Sequence, residues 1–224
     1  MKRKVIYKVN IMALLVFLPV MLYMCKNSKY SDFIINDSFE QIDGQINGYD
    51  YVDLGLPSGL KWATCNVGAS SPSEYGNYYA WGEVEPKSSY EWGNNVTHGK
   101  EIGDISGNPQ YDAARANWGG TWRLPTIVEF AELIDNCIWI WTSEDGNYGC
   151  KVIGPTGNSI FLPAAGYMYG TSLSSAGSYG GYWSSTPYES DTDHAYYFYF
   201  SSDTHATGWN GRRYGGHSVR PVSE

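Results

Sequence analysis

The segment Tyr167-Met168-Tyr169-Gly170-Thr171-Ser172-Leu173-Ser174-Ser175-Ala176-Gly177-Ser178-Tyr179-Gly180 holds the side chains best suited to bind something. Tyrosine supplies a large rigid face at low entropic cost, and Ser and Gly supply adaptable hydrogen bonding. Two further stretches share that character. Ser201 to Gly216 carries Trp209, Asn210, Arg212, Arg213 and Tyr214, and Tyr75 to Trp92 carries Tyr79, Trp81, Glu83, Glu85 and Tyr90. Tyr167, Tyr169, Tyr179, Trp209, Arg212 and Tyr214 are therefore the candidate ligand-binding residues. Tyr and Trp rings can stack on sugar faces or anchor a protein partner. In a loop-rich chain the same rings can also simply fill the core.

Residues that could catalyse are poorly arranged. Glu83 and Glu85 are acidic and lie near aromatics, but they stand two apart on one segment. A glycosidase needs two carboxylates on opposite sides of a bond. No Ser-His-Asp, P-loop or H-E-x-x-H pattern occurs. Asp191, Asp193, His194, Asp203 and His205 cluster in sequence, and calcium takes several oxygens from such loops. Acidic loops are more often merely solvated, and a lysine at Glu85-Pro86-Lys87 repels a cation instead of ligating it. No catalytic residue, metal or cofactor is expected.

The chain start predicts export. Lys2, Arg3, Lys4 and Lys8 precede the apolar run Ile11 to Met24, which Pro19 interrupts and which is shorter than a bilayer span. Cys25 follows in Leu22-Tyr23-Met24-Cys25, with Leu three residues ahead as in a bacterial lipobox, although Met24 replaces the usual small residue. Residues 1–24 are read as an export signal, Cys25 as the lipidated residue, and 25–48 as a polar tether. Residues 49–224 then form the domain. It would sit in the cell envelope, on the outer membrane and exposed at the surface. The formal charge is −8, and the basic start is removed with the signal. So acidic a domain excludes nucleic acid held by electrostatics; its contact with a membrane would be the lipid anchor.

The elements that must position these residues are short. Tyr51–Leu54, Leu60–Thr64 and Tyr78–Trp81 read as strands, and Glu83 to Gly107 as a long loop. Tyr111–Asn117 reads as a short helix. Thr126 and Glu129 stand at capping-box spacing, and Phe130, Leu133 and Ile134 recur at helical period, so a second helix runs from Thr126 to Asp135. Cys137–Thr142, Gly149–Ile153, Ser159–Leu162, Gly181–Ser185, Ala195–Phe200 and Ser218–Val222 read as further strands. Arg123 and Arg220 have the fork geometry to tie loops through several carbonyls or carboxylates.

Several ordered blocks carry a family resemblance: Tyr51 to Ala69, Tyr78 to Glu83, Trp122-Arg123-Leu124-Pro125-Thr126, Phe161 to Gly166, Tyr182 to Thr186, and Ser218 to Val222. Together they resemble the Fibrobacter succinogenes major paralogous domain, found in exported and lipid-anchored proteins of gut bacteria. That family is in turn similar to the C-type-lectin-like fold, with its formylglycine-generating and sulfatase-modifying branch. The resemblance implies an α+β domain in which two helices flank a small twisted antiparallel sheet with long irregular loops. It also implies that the first and last strands meet, and that Cys65 and Cys137 form a disulfide, leaving Cys150 over. The sulfatase-modifying branch uses redox cysteines late in its domain; here none follows Cys150. The resulting expectation is a non-catalytic, adhesin-like binding module for a glycan or protein ligand. The alternatives are a structural or tip subunit of a surface fibre and, less favoured, a sulfatase-modifying-like enzyme.

Overall fold

The computed structural model describes residues 42–224. The export signal, Cys25 and most of the tether lie outside these described residues. The first strand, β1 (Gly44–Ile46), already pairs with β2 (Tyr49–Asp53) inside the stretch read as tether. No helix among the described residues is long and apolar enough to cross a membrane.

The architecture corrects the expected one. It is mostly β, with twelve strands in four small sheets and two helices among the described residues, rather than two helices flanking one sheet. β2 pairs with β3 (Lys61–Ala63), and β3 pairs with β12 (Val222–Ser223), closing a four-stranded sheet with β1. The last strand therefore pairs with β3, Val222 opposite Trp62, and shares one sheet with the first two described strands. β4 (Ile138–Glu144), β5 (Asn147–Ile153) and β6 (Ser159–Pro163) form an antiparallel meander. β7 (Tyr167–Tyr169) and β8 (Ser172–Ser174) form a small hairpin. β9 (Gly180–Pro187), β10 (His194–Phe200) and β11 (His205–Arg212) form the fourth sheet. Tight turns cut the chain so often that most ladders close with the next strand, and no single sheet grows wide.

The helices sit where the sequence places them. α1 (Ala113–Trp118) starts at Asp112, whose carboxylate accepts the Arg115 amide at 3.0 Å. α2 (Ile127–Asn136) starts at Thr126 with the full capping box: Thr126 Oγ1 accepts the Glu129 amide at 3.2 Å, and Glu129 accepts the Thr126 amide at 2.7 Å. Arg123 grips the same carboxylate with both terminal nitrogens, at 2.9 and 2.7 Å. Burial pushes the Glu129 carboxyl up, but the Arg123 fork and the Thr126 amide outweigh it and hold it below its usual value. α2 buries Phe130 and Leu133. Phe130 stacks on Phe198 of β10 at 4.9 Å and leans on Trp62 at 5.6 Å. α1 serves a second core cluster, in which Trp118 stacks on Tyr49 at 3.9 Å and meets Trp122 edge-on at 5.3 Å.

The expected disulfide is absent: no bridge joins Cys65 and Cys137. Cys137 ends α2 and packs against the first core cluster, while Cys65 Sγ lies 3.5 Å from the hydroxyl of its neighbour Thr64. Burial, with the Glu132 charge, pushes the Cys137 thiol up to about 11, and burial alone takes Cys150 to about 12. Thiols so protonated are poor nucleophiles.

Candidate functional site

Local chemistry brings distant segments to one place. Gly166 turns the chain into β7 at φ 66°, where a Cβ would lie 2.1 Å from the Ser174 carbonyl oxygen. Only glycine fits there. Met168 then exchanges backbone hydrogen bonds with Gly216, at 2.8 and 2.9 Å. That ladder fastens the Tyr/Ser/Gly hairpin to the segment that follows β11. The Gly166 amide also donates to the Tyr179 carbonyl at 2.6 Å, which folds the far end of the hairpin back beside its start.

Between the hairpin and the β9–β11 sheet lies a cavity of about 500 Å³. Tyr167, Tyr169, Tyr179, Arg212 and Tyr214 all line it. Trp209 does not; it stands on β11 with 55% of its surface exposed. Tyr167 and Tyr179 meet edge to face at 5.8 Å, and Tyr169 lies 5.8 Å from Tyr214. The walls are thus rings that brace one another. Burial, then the Tyr169 hydroxyl, raises the Tyr214 phenol above its ordinary value. Burial, then charge interaction with Tyr197, raises Tyr179 further.

The structure adds Tyr197 and His217 to the wall. His217 is 7% exposed, stacks on Tyr197 at 4.9 Å and meets Trp183 edge-on at 4.5 Å. Its Nδ1 has no hydrogen-bond partner among the described residues. Burial lowers its pKa to about 3, so the ring is neutral and Arg212 is the charged side chain of the wall. Because the folded pKa lies below the unfolded 6.5, the unfolded chain binds the extra proton between the two values. Folding stability is therefore lost as pH falls from 6.5 toward 3, and is fully present above 6.5. His217→Phe removes that proton uptake and the orphaned nitrogen together. Urea unfolding at pH 5 and pH 8 should show a smaller stability difference in this variant than in the parent; an unchanged difference would discard the assignment.

The other sequence candidates have structural work. In Tyr75 to Trp92, Tyr79, Trp81 and Tyr90 are buried. Glu83 pairs with Lys87 at 2.9 Å and accepts the Val96 amide at 3.0 Å. Arg213 is buried over the Trp81 ring, 4.2 Å from its centroid, and donates to the Lys100 carbonyl at 2.9 Å. The acidic cluster does not converge. Asp191 pairs with His194 at 2.9 Å and Asp193 with His98 at 2.6 Å. Among the described residues no three His, Cys, Asp or Glu side chains gather as a metal would need.

The model of one protein family, described as the Lcl C-terminal domain, matches residues 55–223. No curated protein and no solved structure matches the chain.

Proposed function

The chain belongs to the Lcl C-terminal domain family, and from that premise we propose that it is a non-catalytic binding module of the cell surface. It is carried on a lipid at Cys25 and takes a glycan or protein ligand in the tyrosine-walled cavity. The observation that carries this reading is the meeting of Tyr167, Tyr169 and Tyr179 with Arg212 and Tyr214 around one hollow. Its volume falls in the range of small-ligand sites, roughly 300–1,000 Å³. Braced rings offer flat apolar faces with hydroxyl tips, and Arg212 adds one fixed cation. The titratable groups favour binding over catalysis. A general acid or base works best near the ambient pH, whereas burial drives His217 far below it and Tyr179 and Tyr214 above it. The relation to the Fibrobacter succinogenes major paralogous domain is kept within this reading; the lectin-like architecture is not.

A second reading, a subunit of a surface fibre, draws on β4. Among the described residues that strand is a sheet edge, and it exposes Ile138 and Ile140. Unpaired edges are templates for another chain.

A glycan and host-protein binding screen with the full chain tests the first reading. Replacing Tyr167, Tyr169 and Tyr179 together by Ala should weaken any hit by about a thousandfold, the loss of two hot-spot contacts of about 2 kcal/mol each. The same screen on Cys25→Ala should lose palmitate incorporation but keep the binding. A hit unaffected by the triple substitution rules out this cavity.

A further inference from the structure

Trp209 lies outside the cavity yet belongs to the same surface. Side chains two apart on a strand share a face, so Trp209 stands on the same side of β11 as Gly211, which lines the cavity. Its cross-strand partner is Tyr197, a wall residue. The Trp209 ring meets Tyr199 edge-on at 5.4 Å, and Tyr199 lies parallel to the wall residue Tyr179 at 5.7 Å. Aromatic surface therefore runs without a break from the cavity to a ring that is more than half exposed.

The backbone is shaped to hold that ring out. Between the pairs Tyr197–Trp209 and Tyr199–Ala206, β11 advances one residue more than β10. The extra residue is accommodated beside Gly208, whose φ is 86°. No atom lies within 4 Å of where a Cβ would stand at Gly208, so the position calls for glycine's conformation and not for space. Bulges of this kind sit at sheet edges and re-aim the adjoining side chain.

Resting on the cavity reading above, we propose that Trp209 and Tyr199 form an outer subsite and that the ligand is a linear glycan, its terminal ring in the cavity and the next ring on Trp209. A file of ring faces one sugar wide suits a chain of pyranoses, whose C–H faces stack while their hydroxyls reach Arg212 and the tyrosine tips. A protein partner would call instead for a broad apolar core ringed by polar groups. Apart from its rings, the cavity offers Met168 alone among the large apolar side chains.

The test uses fluorescently labelled, size-fractionated partial hydrolysates of plant cell-wall and mucin polysaccharides against the full chain. Fragments of two or more sugars should bind about tenfold more tightly than single sugars. Trp209→Ala should erase that gain without changing single-sugar binding, and Trp209→Phe should restore much of it. Equal affinity at every length, or an equal loss at every length in Trp209→Ala, overturns the outer subsite and leaves the cavity reading standing. Retention of no fraction overturns the glycan ligand and the outer subsite with it, and the cavity reading then stands or falls on the host-protein screen with the triple tyrosine variant.

Discussion

Arg220→Met is expected to cost on the order of 4 kcal/mol or more, enough to leave the domain mostly unfolded or barely folded. Arg220 is fully buried, and each of its three nitrogens donates to a protein oxygen. Nε reaches Asn66 Oδ1 at 2.9 Å, one terminal nitrogen reaches the carbonyls of Ala63 and Thr64 at 2.9 and 2.7 Å, and the other reaches Phe161 at 2.9 Å. The side chain thus joins the exit of β3 to the middle of β6 from just before β12, three segments distant in sequence. Methionine fills much of the same space but strands three carbonyls and an amide oxygen. Each stranded buried group costs about 1–3 kcal/mol. The damage spreads, because Asn66 also donates to the Tyr75 carbonyl at 2.9 Å and to the Tyr182 hydroxyl at 3.4 Å. Arg220→Lys keeps the charge but not the planar fork, so it should recover less than half of the loss. Tryptophan fluorescence in urea reads the result. A cost under about 1 kcal/mol would mean that the carbonyls find other donors.

How far these features could be read from residues alone depends on their range. The start of α2 is legible because Thr126 and Glu129 satisfy each other within one turn. The strands are legible where a face alternates, as at Phe198 and Phe200, which point to the core. Strand partnership is not legible. Nothing near Val222 announces Trp62 as its neighbour, and nothing in Ile138–Glu144 says that it pairs on one side alone among the described residues. That is why a single sheet was expected and four small ones are found. The cysteines mislead for a related reason. A pairing carried by resemblance says nothing about where α2 ends, and α2 ends with Cys137 turned toward the core. At the site, composition marks Tyr167, Tyr169 and Tyr179, but the Met168–Gly216 ladder that brings Arg212 and Tyr214 to them is a tertiary fact. Tyr197 was within reach: alternation along β10 puts it on the face opposite Phe198, against the second core cluster and the cavity. His217 was not, since its burial depends on rings from β9 and β10.

Gly215→Leu is expected to abolish ligand binding while leaving the fold intact. Gly215 lines the cavity, and a Cβ built there lies 3.8 Å from His217 Nε2 and 3.2 Å from the Arg212 carbonyl oxygen. Its φ is not left-handed, so the conformation suits any residue, and only the close Arg212 carbonyl has to give by a few tenths of an ångström. A leucine there projects across the hollow toward the imidazole and fills space that a sugar ring or an anchoring side chain would need. Melting temperature should move by only a few degrees, as for a surface change of under about 1 kcal/mol. Gly181→Ala supplies the contrast. Its Cβ would stand 2.5 Å from His217 Nδ1 and 2.9 Å from the Tyr179 ring, behind the wall and not within the cavity. That substitution must displace the wall itself, so it should lower stability and binding together. If Gly215→Leu binds like the parent, the ligand does not enter the cavity. Trp209 and the rest of the exposed aromatic surface would then have to hold the ligand alone.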